Sequence, residues 1–222
     1  MGMKLHELHP PLIHAPLILL PAAAAVDMAA ARTCRTSTER LGAKLWWFGA
    51  GGGLLAGLAG MAASQEVKAE DKRVDDAMYL HGIGNLGLVI AATAMAIFRS
   101  RSRPTVTSAT IGLAACGAAI YTAYLGGELV YGSGVGVKAM SEQARAGVQP
   151  GVPDVLSSGS AVRFVRDAVK GLGWLLGRTV DLLSGRQKLE RGALHLGKEA
   201  EGMQPGAFQP RQGELLTPPI PH

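Results

Sequence analysis

The sequence predicts an all-α membrane protein, a four-transmembrane-helix bundle followed by a periplasmic, partly helical C-terminal tail. Four apolar runs each have about 20 residues or more, the length that crosses the hydrocarbon core of a bilayer. None of them alternates with the two-residue period of a barrel strand. Apolar residues make up 48% of the 222 residues and aromatic residues only 5%. This composition suits a bundle whose helices pack closely through Gly and Ala.

The chain divides into two predicted parts. Residues 1–137 form the transmembrane domain, and residues 138–222 form a polar extramembrane tail with many Gly and Pro residues. The tail holds an amphipathic helix at about 161–184, where apolar residues recur every three or four positions. This helix could lie in the membrane interface or dock on a partner, and the sequence does not choose between the two. The predicted spans are about 11–31, 43–63, 77–98 and 106–131.

The first span has an unusual entrance, formed by His9, Pro10, Pro11 and His14. A cleaved signal peptide has an uninterrupted apolar region at this point, so we expect the helix to be retained. Further along the same span, Asp27 is expected to form a structural ion pair with Arg32 or Lys44.

The loop charges predict the topology. Lys4 is the only Lys or Arg before the first span, whereas basic residues follow the first span and crowd the third loop. Because cytoplasmic loops carry the excess of Lys and Arg, we expect both loops in the cytoplasm and both termini outside. This topology predicts a multi-pass protein of the bacterial inner membrane. The basic residues concerned are Arg32, Arg35, Arg40, Lys44, Arg99, Arg101 and Arg103.

Three ionisable side chains from three spans fall at one depth near the outer face. At 1.5 Å of rise per residue, His14, His81 and Glu128 each lie about 5–6 Å inside the ends of their spans. Tyr124 is one turn before Glu128, and His9 lies just above, at the surface. Ionisable residues inside a membrane are costly and tend to mark functional sites. We predict a site with His9, His14, His81 and Glu128 as metal ligands and His14, His81, Gly82, Gly84 and Tyr124 as cofactor contacts.

Several chemistries fit this set of residues. His14 and His81 could bind the iron of a b-type haem from its two sides, with Gly82 and Gly84 leaving room for the ring. Three imidazoles and a carboxylate could instead bind a transition-metal ion. A His–Glu–Tyr set without metal could exchange protons with a quinol or line a proton path. In the structural alternative, the histidines bind headgroups, water or backbone carbonyls that the prolines free.

Two motifs resemble a known family. Residues 9–16 read HPPLIHAP, which matches the pattern HPxxIHxP. Residues 126–137 read GGELVYGSGVGV, which matches GGxLVYxxGxGV. Over about residues 5–137 the chain resembles a bacterial family of small four-helix membrane proteins catalogued as a domain of unknown function.

The resemblance carries further expectations. The family tends to have an acid at the Asp27 position and a histidine at the His81 position. Some members are fused to a Rieske iron–sulfur domain, which implies a redox role by analogy. Members vary at the Glu128 position, where histidine also occurs, and some have histidine at the Ser133 position. A family ligand at either position would therefore be altered in this chain.

These observations favour a redox-linked module that holds a b-type haem or a metal ion near the outer membrane face. Its expected partners are the lipid bilayer and a periplasmic or membrane redox partner bound through the tail. The alternative is a non-catalytic scaffold or anchor whose tail binds a partner protein. A stand-alone enzyme is not favoured, because the chain has no nucleophile-elbow serine, HExxH or P-loop. The net charge of +5 is spread over short loops, which argues against nucleic-acid binding. A transporter is disfavoured, since the helices show no convincing internal repeat.

Overall fold

The four predicted spans are helices in the computed structural model, which describes residues 4, 7–67, 69, 71–136, 154–190 and 193. Each is long and apolar enough to cross a membrane, and no strand occurs in these ranges. The predicted all-α, four-span fold class is therefore confirmed. Of the predicted tail, residues 138–153, 191–192 and 194–222 lie outside the described residues. We refer to the four helices as spans 1–4, and they run over His9–Thr33, Thr36–Ala63, Lys72–Arg101 and Val106–Gly132.

Spans 2 and 3 are longer than the apolar runs that predict them, because polar residues continue the helices. Span 2 begins at Thr36 rather than at about 43, and span 3 begins at Lys72 rather than at about 77. Asp71 caps span 3, since its carboxylate accepts a 2.8 Å hydrogen bond from the backbone N–H of Arg73. Asp71 thus helps span 3 to begin before its apolar run, whereas span 2 begins at Thr36 without a side-chain cap.

Span 1 consists of two helical pieces, His9–Leu12 and His14–Thr33, with a turn at Ile13 between them. Two prolines open the first piece, where a missing N–H is tolerated. Pro16 offers no N–H to the carbonyl of Leu12, which accounts for the interruption at this point. The entrance of span 1 is therefore shaped by its prolines, and the helix continues past them.

Small residues form the core and bring the helix backbones close together. Gly49 lies against Leu20, whose Cδ2 atom would be 2.5 Å from a Cβ added at this glycine. Gly53 faces Val89, at 3.3 Å from such a Cβ. The central buried cluster consists of Ala23, Ala24, Trp46, Ala50, Ala92, Ala96 and Cys116. Larger side chains at these glycines would force the helices apart.

The bundle has two polar ends, which we name by their central side chains. Spans 1 and 3 begin at the histidine end, which contains His9 and His81, and finish at the arginine end, which contains Arg99. Spans 2 and 4 run in the opposite direction. Spans 1 and 3 are therefore parallel, but they are offset along the bundle, since His9 is the first residue of span 1 and His81 is nine residues into span 3.

A further helix, Ser160–Leu183, packs on spans 2 and 3 at the histidine end. We call it the tail helix, and it covers the position of the amphipathic segment in the sequence. Gly171 lies so close to the backbone of Met61 that an added Cβ would collide with it. Leu175 covers Gly82, with its Cδ2 atom 2.9 Å from where a Cβ of that glycine would stand. The tail helix is thus docked on its own bundle.

Arg178 fastens the tail helix to span 3. Its side chain is 8% exposed and pairs with both Asp75 and Asp76. Its guanidinium carbon lies 5.4 Å from the ring centre of Tyr79. Asp76 is fully buried and accepts a second hydrogen bond, of 2.8 Å, from the Lys72 ammonium group. Removing one partner of such a buried pair leaves an uncompensated charge, so Arg178 has a large part in holding the helix.

Candidate functional site

Two of the predicted histidines meet between spans 1 and 3. The ring centres of His9 and His81 are 6.2 Å apart, and the ring planes make an angle of 85°. Both residues are half-buried. The structure thus brings His81 together with the histidine that the sequence places at the surface above the site.

Each imidazole is held by a backbone carbonyl of a neighbouring span. His9 Nδ1 lies 2.8 Å from the carbonyl oxygen of Ala56 in span 2. His81 Nδ1 lies 2.8 Å from the carbonyl oxygen of Thr122 in span 4. A carbonyl oxygen only accepts hydrogen bonds, so each Nδ1 carries a proton and donates it. In the neutral ring this leaves the Nε2 lone pair to accept a hydrogen bond or bind a metal.

A glycine makes room for each imidazole. Gly60 is one turn after the carbonyl that binds His9, and a Cβ there would lie 3.0 Å from His9 Cε1. Gly126 is one turn after the carbonyl that binds His81, and a Cβ there would lie 2.7 Å from His81 Cε1. The two histidines therefore have the same kind of surroundings, a carbonyl and a glycine one turn apart on the adjacent span.

Asn85 and Thr122 complete the cluster around His81. The Asn85 amide nitrogen donates to the carbonyl oxygen of His81 at 2.8 Å and lies 3.3 Å from both ring nitrogens. The Thr122 hydroxyl donates to Asn85 Oδ1 at 3.2 Å. The Asn85 amide is thus a donor beside His81 Nε2, and it would compete with a metal for that nitrogen.

The histidine contacts of spans 1 and 2 recur in spans 3 and 4. His9 and His81 are 72 residues apart, and the glycines that accommodate them, Gly60 and Gly126, are 66 residues apart. Spans 1 and 2 form one hairpin and spans 3 and 4 form a second, with equivalent contacts in each. The histidines meet at the boundary between the two hairpins.

A buried ion pair at the arginine end follows the same spacing. Asp27 and Arg99 are also 72 residues apart, and their side chains are each 1% exposed, with Arg99 Nε 2.7 Å from Asp27 Oδ2. The indole N–H of Trp46 donates to the same oxygen at 2.8 Å. The predicted ion pair exists, but its partner is Arg99 rather than Arg32 or Lys44. The Arg99 side chain reaches this face of span 1 from span 3, whereas Arg32 is turned about 140° around the helix.

His14 lies apart from the histidine pair. It is exposed, and its Nδ1 is 3.3 Å from the carbonyl oxygen of Pro11 in its own span. Five residues separate it from His9, which turns it about 140° around the helix. The sequence predicts that His14 pairs with His81, whereas in the structure His9 pairs with His81.

The remaining predicted site residues have other surroundings. Tyr124 is 51% exposed on the outside of span 4. Glu128 begins a π-helical turn, and its Oε2 atom is 3.1 Å from where a Cβ of Gly132 would stand. Across the described ranges, no group of three or more His, Cys, Asp and Glu side chains could hold a metal ion. The predicted set of His9, His14, His81 and Glu128 is thus not assembled there.

The two glycines predicted to border a cofactor contact protein side chains. Gly82 is covered by Leu175 of the tail helix, and Gly84 faces Thr122, whose Cγ2 would be 3.0 Å from an added Cβ. Both positions serve close packing between helices, which is the other role that the sequence allowed for them.

The predicted depth in the membrane, taken alone, indicates His14 as the partner of His81. The direction in which each side chain leaves the helix indicates His9 instead. Asp27 follows His9 by 18 residues, which is five full turns, so the two side chains leave span 1 in the same direction. An intramembrane acid tends to face the bundle interior. The direction of Asp27 is therefore a signal that His9, and not His14, points inward.

Residues 5–139 match the profile of a family described as "Predicted membrane protein (DUF2231)". This range contains all four spans and both members of the histidine pair, and it ends before the tail helix. It confirms the family resemblance of the two sequence motifs. Comparisons with curated proteins and with solved structures gave no match.

Proposed function

The chain belongs to the DUF2231 family of predicted membrane proteins, and from that premise we propose that it is a redox-linked module of the bacterial inner membrane. His9 and His81 are the two protein ligands of one metal centre, either the iron of a b-type haem or a single transition-metal ion. The observation that carries the proposal is the meeting of two imidazoles with ring centres 6.2 Å apart. The loop charges favour an orientation in which the histidine end faces outward.

The hydrogen bonds of the two imidazoles suit them to metal binding. Metal-binding histidines usually donate their other ring N–H to a carbonyl or carboxylate, which fixes the ring and makes the binding nitrogen more basic. His9 and His81 each have such a bond, of 2.8 Å, to a backbone carbonyl. Two metal–nitrogen bonds of about 2 Å would put the ring centres about 5–6 Å apart, close to the observed separation.

The donor set fits haem iron more simply than a bare ion. A porphyrin supplies four nitrogens, and two imidazoles complete the coordination. A bare ion would need further ligands from water or from residues outside the described ranges. When bound, haem iron or a redox-active ion such as iron or copper would pass single electrons between a donor and an acceptor.

The chain's own residues hold the two imidazoles in the form that binds metal. The carbonyls of Ala56 and Thr122 fix the tautomer that presents Nε2. Close packing at Gly60 and Gly126 leaves little room for the rings to turn. Asn85 is the residue that has to yield, since its amide lies 3.3 Å from His81 Nε2. Replacing Asn85 by alanine should therefore strengthen metal binding rather than weaken it.

An absorption spectrum tests the proposal. The purified protein in mild detergent is supplied with haemin, or separately with iron or copper, and its spectrum is recorded oxidised and dithionite-reduced. A Soret band that shifts on reduction supports haem, and one bound metal per chain by elemental analysis without that band supports the ion. A protein with neither would overturn the proposal.

Three alanine variants assign the ligands. His9→Ala and His81→Ala should each abolish binding, whereas His14→Ala should retain it because His14 is exposed and faces away from the pair. If His14→Ala abolished binding and His9→Ala retained it, the ligand pair proposed here would be incorrect.

A non-catalytic scaffold is the second candidate, and one observation favours it. Each imidazole ties two spans together, His9 to span 2 and His81 to span 4. In a scaffold these hydrogen bonds would only stabilise the bundle, and the tail would recruit a partner protein. The same alanine variants would then unfold more easily while a purified wild-type protein took up no cofactor.

A further inference from the structure

The tail helix has three faces of different chemistry. At 100° per residue, three groups of side chains are centred about 120° apart around its axis. The docked face meets the bundle through Phe164, Ala168, Gly171, Leu175 and Arg178. The basic face carries Arg163, Arg166 and Lys170 in the first half of the helix, where Arg166 is paired with Asp167, and Asp181 lies on the same side near the end of the helix. The apolar face carries Val162, Val165, Val169, Leu172, Leu176, Val180 and Leu183.

The apolar face points away from the described part of the protein. Six of its seven side chains are 50–85% exposed. Each square ångström of apolar surface left in water costs about 25 cal/mol, and contiguous patches of this kind mark binding surfaces. The helix therefore needs an apolar environment that the rest of the described chain does not provide.

The position of the tail helix shows which environment is adjacent. Its first half packs on Met61 and Ala62, at the end of span 2. Its second half reaches Gly82, about 7 Å into the apolar run of span 3, and then Asp75. The helix thus lies beside the spans at the level where they leave the apolar layer.

We propose that the tail helix lies in the plane of the membrane interface, with its apolar face on lipid acyl chains and its basic face at the lipid phosphates. Two features select lipid as the occupant. The helix is docked on spans 2 and 3 where they leave the apolar layer, so its exposed apolar face has acyl chains within reach, and the basic face has the charge that phosphate headgroups attract. A helix that docks sideways at an interface needs one face for protein, one for acyl chains and one for water, about 120° apart, and this helix has all three.

Site-directed fluorescence tests the placement of the faces. In a chain with Cys34 and Cys116 replaced by serine, a single cysteine is introduced and labelled with nitrobenzoxadiazole. Val169 and Leu176 report on the apolar face, and the matched controls Lys170 and Gly177 report on the polar side. The labelled full-length protein is reconstituted in vesicles of phosphatidylcholine and phosphatidylglycerol. Lipids brominated on the acyl chains and aqueous iodide serve as the two quenchers.

We expect brominated lipid to quench the labels at Val169 and Leu176 several-fold more strongly than those at the controls, and iodide to show the reverse order. Iodide quenching at Val169 as strong as at Lys170 would overturn the proposal, since the apolar face would then be in water. Protection of Val169 from both quenchers would also overturn it, because protein, from this chain or from another copy or partner, would then cover the face.

Unlabelled variants provide an independent measurement. Val169→Asp should make the tail helix of vesicle-bound protein cleavable by trypsin at Lys170, since a carboxylate cannot stay among acyl chains. Gly177→Asp, at a position on the polar side with open space around it, should not increase cleavage. Equal cleavage of the two variants would contradict the proposal.

Discussion

Replacing Gly126 by alanine should displace His81, whereas replacing its neighbour Gly127 should not. In Gly126→Ala the new methyl carbon would stand 2.7 Å from His81 Cε1 and 3.2 Å from Nδ1. Carbon atoms in contact prefer separations of about 3.5–4.0 Å, so the ring has to move by about 1 Å. That movement breaks or weakens the 2.8 Å hydrogen bond to Thr122.

The cost of this substitution can be worked out by comparing the two glycines. Either alanine gains up to about 1 kcal/mol of helix propensity, and a Cβ on Gly127 has no neighbour within 4 Å. Overpacking costs about 1–3 kcal/mol, and an unsatisfied buried donor costs about 1–3 kcal/mol. Because one displacement causes both losses, they overlap in part. We expect Gly126→Ala to be less stable than Gly127→Ala by about 2–4 kcal/mol.

Unfolding by sodium dodecyl sulfate in mixed micelles, followed by tryptophan fluorescence, measures this difference. Gly126→Ala should unfold at a clearly lower detergent fraction than Gly127→Ala, and Gly127→Ala should match or exceed the wild type. If the protein takes up haem, the Soret band of Gly126→Ala should also shift while that of Gly127→Ala does not. Equal unfolding of the two variants would refute the packing of His81 against Gly126.

Three further predictions concern the rest of the chain. Arg99→Leu should destabilise the bundle by about 3–5 kcal/mol, because it leaves the Asp27 carboxylate buried without its cation. Adding Asp27→Asn should recover much of that loss in the same unfolding assay, and Arg101→Leu, at an exposed position, should cost little. Arg178→Ala should release the tail helix and speed tryptic cleavage within it several-fold, whereas Arg186→Ala, at a 65%-exposed side chain, should leave the cleavage rate unchanged. Cys34 is exposed at the arginine end and Cys116 is buried. A membrane-impermeant maleimide should therefore label the protein only in permeabilised cells and not at all in Cys34→Ser, and labelling of intact cells would reverse the expected topology.

The number of spans could be predicted because a bilayer imposes a minimum apolar length on each helix. The ends could not, since polar first turns such as those at Thr36 and Lys72 continue the helices beyond the apolar runs. The amphipathic character of the tail helix was visible in its apolar residues. Its docked face could not be predicted, because its close contact with the bundle depends on Ala168 and Gly171. Such small residues add no large apolar side chains to the helical pattern.

The histidine pair was only half predictable, for a geometric reason. Residue spacing gives depth, which finds His81 but also favours His14 over His9. The choice between them depends on direction around the helix and on which span is adjacent. The internal equivalence was hidden as well, since residues 9–28 and 81–100 are identical at only four positions. The equivalence of the two hairpins is therefore easier to recognise from their side-chain contacts than from their amino-acid sequences.

The equivalence of the hairpins has a consequence for how such a bundle can be assembled. If two identical hairpin chains associated about a two-fold axis, the histidine position would meet its own copy, which is harmless for neutral imidazoles. The position of Asp27 would also meet its own copy, and two carboxylates would face each other in a buried place. Linking the hairpins in one polypeptide removes this restriction, because one half can carry the acid and the other the base. In the single chain, the two hairpins therefore carry the same residue at the histidine end and opposite charges at the arginine end. A homodimer of identical hairpins could not combine these two features.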